Sequence, residues 1–185
     1  MTYPGNIAKV VLPAVLLLIG CRNVGKDEGK LSWNAPAPRE TIESDSLRIP
    51  VYDFDGLEPL LHREDNAIYV LNFWATWCMP CVKELPNFEK LAAAGRPEGV
   101  QVILVNLDMP GMWESHLIPF VREHKLTAHV VVLDDPRQND WISRVDEGWS
   151  GTIPATLIYR RGKRRFYQQP FTYEELQQAL TDFKS

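Results

Sequence analysis

The chain has 185 residues, of which 45% are hydrophobic, and its formal net charge is −4 at pH 7. This length suits one folded domain with a buried core plus flanking segments. The mildly acidic charge argues against a nucleic-acid partner, because surfaces that bind nucleic acid need an excess of Lys and Arg to neutralise phosphates.

An apolar run of ten residues, VVLPAVLLLI, follows a short start whose only charge is Lys9. A membrane-spanning helix takes about 20 apolar residues, so this run is too short and is typical of the core of a secretion signal. The run leads into Leu18-Ile19-Gly20-Cys21, which resembles the lipobox of bacterial lipoproteins. That resemblance implies cleavage before Cys21 and acylation of its sulfur. A plain membrane anchor, or an ordinary signal with a chance cysteine, is the alternative.

Two acyl chains on the sulfur of Cys21 and one on its amine would attach the chain to a lipid bilayer more firmly than a single acyl chain could. We therefore expect an extracytoplasmic, membrane-anchored lipoprotein on the periplasmic face or cell surface of a bacterium, where disulfides can persist. Removal of residues 1–20 also removes Lys9 and changes the net charge from −4 to −5. Only Cys78 and Cys81 then remain free.

Composition predicts three segments, and we find no internal repeat. Residues 1–20 form the lipoprotein signal peptide, residues 21–47 the lipidated cysteine and a flexible linker, and residues 48–185 one folded domain. The linker contains prolines and mixed charges with almost no apolar period, which is typical of a disordered tether.

From residue 48 onward, patterns typical of strands alternate with patterns typical of helices. In chain order we predict a strand at 50–54, a helical turn at 56–63, a strand at 67–74, a helix at 79–94, a strand at 99–108, a helix at 112–126 interrupted by Pro119, a strand at 129–135, a helix at 137–147, a hairpin at 155–169 turning near Gly162, and a helix at 172–183. This alternation predicts a mixed sheet covered by helices on both faces.

Three local patterns support these elements. The run AIYVLNFW at 67–74 is almost continuously apolar, as in a strand buried on both faces. Pro119 should interrupt its helix, because proline lacks a backbone N–H and clashes with the preceding turn. Thr172 and Glu175 have the spacing of a capping box at the start of the last helix.

The pair Cys78-x-x-Cys81 has several chemical interpretations. A zinc site needs four ligands, but the chain has no second cysteine pair, and its four histidines are scattered, with none at the usual zinc-finger distance after the cysteines. Two thiolates suit Cu(I), so copper binding stays an alternative, as does a purely structural disulfide.

The position of Cys78 favours redox chemistry. A predicted strand precedes it and a predicted helix follows, so its sulfur lies where unpaired N–H groups and the helix dipole stabilise an anion. A stabilised thiolate is the attacking species in disulfide exchange. We expect Cys78 to be the nucleophile and Cys81 the resolving thiol. Met79-Pro80 between them adds no charge, so we expect a reducing couple nearer to thioredoxin than to the oxidant DsbA.

The segments NFWATWCMPC, KELP and GTIPATLIY resemble the thioredoxin fold, and they are most similar to membrane-anchored extracytoplasmic thioredoxin-like reductases of the TlpA and ResA kind. The resemblance covers roughly residues 50–184 and implies a thioredoxin-like three-layer α/β/α sandwich with a mixed central sheet. It also implies a thiol–disulfide oxidoreductase that reduces protein disulfides, such as apocytochrome c cysteines or secreted proteins in general. A membrane-bound electron donor protein would restore the dithiol, with no cofactor or metal.

The same resemblance implies roles for individual residues. Ile153-Pro154 would be a cis peptide opposite the cysteines whose backbone pairs with substrate, the alternative being a trans proline that opens a strand. Glu84 would be a semi-buried carboxylate that handles protons, rather than a solvated glutamate suited to the helix dipole. Apart from the resemblance, the position of Trp77 next to Cys78 predicts that it shields the thiol and contacts substrate, the alternative being that it packs in the core or on the surface. Asn72 replaces the aspartate that serves cytosolic thioredoxins as a buried base.

Two further functions fit the residues around the cysteines less well. A peroxidase of the peroxiredoxin type would need P-x-x-x-T-x-x-C, whereas Thr76 stands only two residues before Cys78. Copper-delivering relatives of the fold place three residues between their cysteines, and this chain has two. The motif RRGKRR at 160–165 is expected to be a solvated hairpin tip, with contact to anionic lipid or an acidic partner as the alternative.

Overall fold

The computed structural model describes residues 1–2, 37–95 and 98–184, which contain a seven-stranded sheet and five α-helices. The strands are β1 (Glu40–Ser44), β2 (Leu47–Tyr52), β3 (Ile68–Trp74), β4 (Val100–Asn106), β5 (His129–Leu133), β6 (Ala155–Arg160) and β7 (Lys163–Tyr167). The helices are α1 (Phe54–Leu57), α2 (Met79–Gly95), α3 (Ile118–Glu123), α4 (Gln138–Val145) and α5 (Tyr173–Thr181).

The signal peptide, Cys21 and the linker up to residue 36 lie outside the described residues, apart from residues 1–2. By its internal contacts the chain divides into two units, Met1–Lys30 and Leu31–Ser185, and every element named here belongs to the second. Within the described ranges, no helix has the length and apolar character needed to cross a membrane.

The strand order is β1-β2-β5-β4-β3-β6-β7, which places β3 inside the sheet. Strand β3 runs parallel to β4 and antiparallel to β6. All seven residues of β3 are buried, as its apolar run predicts, because helices cover both faces of the sheet at this point. The mixed sheet predicted from the alternation of elements is confirmed.

Successive strand residues point to opposite faces of the sheet, and each face has its own hydrophobic core. One core combines Val70 of β3 with Leu85 and Phe88 of α2 and Leu176 of α5. The other packs Leu71 and Phe73 of β3, together with neighbouring strands, against α1 and α4. This arrangement is the three-layer α/β/α sandwich expected from the sequence, and it holds the end of β3 and the start of α2 in a fixed relation.

The folded domain begins earlier than predicted, so the boundary at residues 47/48 is corrected. Strand β1 lies inside the segment assigned to the flexible linker and pairs antiparallel with β2, Ile42 opposite Ile49. No apolar period marks this strand because Ile42 is its one apolar side chain, which packs on the core. Backbone pairing with β2 orders this polar strand at the sheet edge.

Pro119 interrupts its helix as predicted. A 3₁₀ turn (Pro110–Met112) and a π-helical turn (Trp113–Leu117) precede α3, and the N–H of Ile118 donates to the carbonyl of Trp113 five residues back. Since proline cannot donate the next helical hydrogen bond, the chain shifts register before it resumes an α-helix. The other predicted helices and strands occur within a few residues of their expected bounds.

The capping box predicted at Thr172 is present. Its hydroxyl accepts from the N–H of Glu175 at 3.3 Å, and the Glu175 carboxylate accepts from the N–H of Thr172 at 2.8 Å. These bonds satisfy backbone donors that the first turn of α5 would otherwise leave unpaired.

We predict that Thr172→Ala lowers the free energy of unfolding by about 1 kcal/mol, because it removes the acceptor for the N–H of Glu175. The matched control Thr172→Ser keeps the hydroxyl and should stay within about 0.5 kcal/mol of the parent. Urea denaturation of both variants measures the difference. Equal losses in Ala and Ser would show that the cap contributes nothing to stability.

Candidate active site

Cys78 stands at the junction of the buried strand β3 and helix α2. The N–H of Val82 donates to the carbonyl of Cys78 at 3.0 Å, which is the first helical hydrogen bond and makes Cys78 the N-cap residue. Residues 75–77 link the strand to the helix, and the N–H of Cys78 donates back to the carbonyl of Ala75 at 3.1 Å. The sulfur is thereby held at the positive end of a helix of 17 residues.

The two cysteines are joined as a disulfide, with an S–S distance of 1.98 Å. Cys78 keeps 6% of its surface exposed, whereas Cys81 is fully buried. The N–H of Cys81 points at the sulfur of Cys78, 3.3 Å away. A sulfur that receives this N–H at a helix start is stabilised as a thiolate once the disulfide is opened. The pair is therefore chemically asymmetric, with one reachable and one enclosed sulfur.

Glu84 lies one turn beyond Cys81 on α2 and is 2% exposed. Its Oε1 accepts from the side-chain amide of Asn72 at 2.8 Å, and its Oε2 accepts from the N–H of Phe171 at 2.7 Å. Burial raises the pKa of the Glu84 carboxyl from 4.5 to about 7, because the two hydrogen bonds, which lower it, do not offset the loss of water. Such a group can take up and release a proton near neutral pH.

Asn72 links Glu84 to the sheet. Its amide nitrogen also donates to the hydroxyl of Thr156 on β6 at 3.1 Å. The sequence pattern predicts no contact between Asn72 and Glu84, but the structure shows that their side chains are hydrogen-bonded. Asn72 thus provides a neutral hydrogen-bond donor to the buried carboxylate.

Phe171 is held from two sides by α2, a feature that the sequence analysis missed. Glu84 accepts its N–H, while the side-chain amide of Asn87 donates to its carbonyl at 2.8 Å. Glu84 and Asn87 are three residues apart and therefore share a helix face, which was the one available clue. An open cavity of about 330 Å³ adjoins this contact and is lined by Pro80, Lys83, Glu84, Asn87, Phe171 and Glu175, among others.

Ile153 and Pro154 lie opposite the cysteines. The peptide bond between them is cis, as the family resemblance implied. The carbonyl oxygen of Ile153 is 3.8 Å from the sulfur of Cys78. Trp77 is 57% exposed beside the disulfide, so it does not pack into the core.

The basic hairpin between β6 and β7 is used within the fold. Arg161 bonds to Asn66, and three other cations donate to backbone carbonyls at the ends of α4 and α5: Arg164 to Val145, Lys163 to Asp182 and Arg160 to Phe183. Cations are favoured there because helix C-termini carry partial negative charge. The motif therefore has a structural role.

Metal ligands do not cluster in the parts of the chain that the structure describes. No three side chains of His, Cys, Asp or Glu come together there in a way that could hold an ion. The two sulfurs that could ligate copper are bonded to each other.

Known proteins share this fold and disulfide chemistry. Residues 59–163 match the AhpC/TSA family. The thiol-disulfide oxidoreductase ResA of Geobacillus thermodenitrificans is 29% identical over 134 residues, covering 71% of this chain and 72% of the relative.

Two solved structures are also similar. One is a secreted disulfide oxidoreductase of Mycobacterium tuberculosis, homologous to E. coli DsbE. It has a TM-score of 0.50 at 25% identity, and the match covers 70% of this chain and 87% of that protein's chain. The other is a thiol:disulfide interchange protein of the thioredoxin family from Chlorobium tepidum, with a TM-score of 0.54 at 16% identity. This match covers 82% of this chain and 97% of that protein's chain, and it supports the fold alone. The chain is a thiol–disulfide oxidoreductase and belongs to the AhpC/TSA family of thioredoxin-like proteins.

Proposed function

We propose that this chain is a lipid-anchored, extracytoplasmic reductase of protein disulfides. The observation that carries the proposal is the N–H of Cys81 directed at the sulfur of Cys78, 3.3 Å away, at the start of α2. A thiolate stabilised there attacks disulfides at neutral pH, while the enclosed Cys81 stays unreactive until a mixed disulfide has formed.

The reaction begins with the reduced dithiol. The thiolate of Cys78 attacks one sulfur of a substrate disulfide, that S–S bond breaks, and the other substrate sulfur leaves as a thiolate. Cys81 then loses its proton and attacks the sulfur of Cys78, which releases the second substrate thiolate and forms the Cys78–Cys81 disulfide. Two electrons pass to the substrate, and a membrane-bound donor protein must return two to the disulfide.

Glu84 is the proposed acceptor of the Cys81 proton. Both side chains are buried on the same face of α2, three residues apart, so bulk water is a poor proton acceptor for this thiol. A carboxylate with a pKa of about 7 can take the proton and pass it to solvent through the adjoining cavity. Trp77 and the backbone of Ile153-Pro154 are proposed to contact the substrate chain.

Substrate capture tests the nucleophile. In Cys81→Ala, Cys78 should form mixed disulfides that cannot be resolved, so substrate proteins stay covalently bound and appear on non-reducing gels. The matched variant Cys78→Ala should capture none, because Cys81 is fully buried. Stoichiometric Cu(I) uptake by the parent protein, without captured proteins or disulfide reduction, would favour the alternative function of a copper-binding metallochaperone.

The role of Glu84 predicts a pH dependence. Resolution of the mixed disulfide should speed up as pH rises through about 7, where Glu84 ionises. Glu84→Gln should lose this inflection and run about 100-fold slower at pH 8, a typical loss for a general base. Stopped-flow kinetics between pH 5 and 9 measure both effects.

A stability measurement gives a second readout for Glu84. The folded protein holds this proton up to about pH 7, whereas the unfolded chain releases it near 4.5, so wild-type stability falls as pH rises across that window. Glu84→Gln should remove this slope. Glu174→Gln alters an exposed carboxylate on α5 that does not line the cavity and should leave the kinetic profile unchanged. Unaltered resolution rates in Glu84→Gln at every pH would rule out the proton role.

The proposed lipid anchor depends on acylation of Cys21. Mass spectrometry of the mature protein should find an amino-terminal Cys21 carrying acyl chains, and the protein should partition with membranes. Cys21→Ala should carry no acyl mass and leave the dithiol chemistry intact, because Cys78 and Cys81 supply it. An unmodified mature amino terminus in the parent protein would contradict the lipid anchor.

A further inference from the structure

A groove of about 500 Å³ extends away from the disulfide along the carboxyl ends of β4 and β5. Trp77 and Ile153, which neighbour the cysteines, line it, and so does Gln138 at the start of α4. In sheets with parallel strands, ligands commonly bind at the carboxyl ends of the strands.

The floor of the groove is apolar and rigid. Trp141 and Trp149 line it, and their ring centroids are 5.7 Å apart. Each indole N–H is already bonded inside the protein, that of Trp141 to the carbonyl of Asp135 at 3.1 Å and that of Trp149 to the carbonyl of Thr152 at 2.8 Å. Since neither ring has a donor left to offer, the floor presents hydrocarbon surface to a ligand.

Two large apolar side chains stand exposed among the lining residues. Trp77 is 57% exposed and Met109 is 67% exposed. Apolar surface of this kind is favourably removed from water when an apolar partner covers it. The two residues come from different loops, and together they extend the apolar floor toward the position of the reacting sulfur.

The charged lining residues are all acidic. Asp134 and Asp135 are paired with Arg39 and Arg137, respectively. Asp108 accepts the N–H of Thr76 with one carboxylate oxygen, and its other oxygen has no hydrogen-bond partner among the described residues. Because arginines neutralise Asp134 and Asp135, the repulsion of a ligand carboxylate is assigned to Asp108.

We propose that the groove binds a large apolar side chain next to the reacting cysteine of an extended substrate polypeptide, in a segment without carboxylates. The groove is continuous with the reaction site: the sulfur of Cys78 is 3.8 Å from the carbonyl of Ile153, which also lines the groove. A chain bonded to Cys78 therefore lies at the groove's opening. This substrate class rests on the proposed reductase function and makes it more specific.

Synthetic peptide disulfides test the proposal. The probes are symmetric disulfides of single-cysteine heptapeptides, an alanine-based parent and variants with one Phe at each position from −3 to +3 of the cysteine. With the reduced protein, one or two adjacent Phe positions should raise the second-order rate constant about tenfold over the parent, as expected for partial burial of an aromatic side chain. Glu at the same position should fall below the parent.

Variants of the protein locate the selectivity. Met109→Glu should lower the ratio of Phe-peptide to parent-peptide rates at least threefold, whereas Met109→Leu should keep the ratio. Gln178→Glu adds the same charge to an exposed site on α5, outside the groove, and should also keep it. Because Met109 is mostly exposed, its substitution should leave the fold intact.

Different failures have different meanings. Equal rates for all peptides, or a Phe preference that Met109→Glu leaves untouched, would overturn the groove assignment and leave the reductase function standing. No reduction of any peptide would instead contradict the reductase function, and the groove assignment with it. If the protein self-associates in sedimentation experiments and Met109→Glu abolishes the association, the groove is an interface between copies and the proposal is wrong.

Discussion

The site depends on a hydrogen bond from a helix start to a sulfur. Strand β3 is buried on both faces and ends at Trp74, so the chain that follows it has little freedom in where α2 begins. Cys78 becomes the N-cap, and its sulfur receives the N–H of Cys81. Stabilisation of the thiolate therefore comes from backbone dipoles that the core holds in place. Small shifts of β3 against α2 would weaken it.

Behind the sulfur pair, a buried carboxylate connects three parts of the fold. Glu84 on α2 accepts from Asn72 on β3 and from the backbone of Phe171 just before α5. Its environment leaves the pKa near 7 because burial opposes ionisation while both donors favour it. Asn87 holds the same backbone segment from its other side. The proton chemistry proposed for Cys81 thus depends on how α2 and α5 pack together.

The two cavities beside the disulfide have different proposed roles. One adjoins Glu84 and gives a proton a way to solvent, while the aromatic groove on the other side offers apolar surface to a polypeptide. The basic hairpin, expected from the sequence to be a solvated tip with lipid or partner contact as the alternative, donates to helix carbonyls within the domain. These bonds hold β6 and β7 against the helix ends, whereas the proposed selection of substrates belongs to the groove.

The sequence by itself determined what depends on neighbours along the chain. The buried strand before Cys78, the capping box of α5 and the interruption at Pro119 follow from local patterns. The cis peptide bond at Ile153-Pro154 was predicted from the family resemblance. Strand β1 was missed because its polar residues are ordered by pairing with β2. Only the tertiary structure decided which distant side chains meet, such as Asn72 with Glu84, Glu84 with Phe171, and Trp141 with Trp149. Those contacts depend on strand order and helix packing, which bring together residues that no short sequence pattern connects.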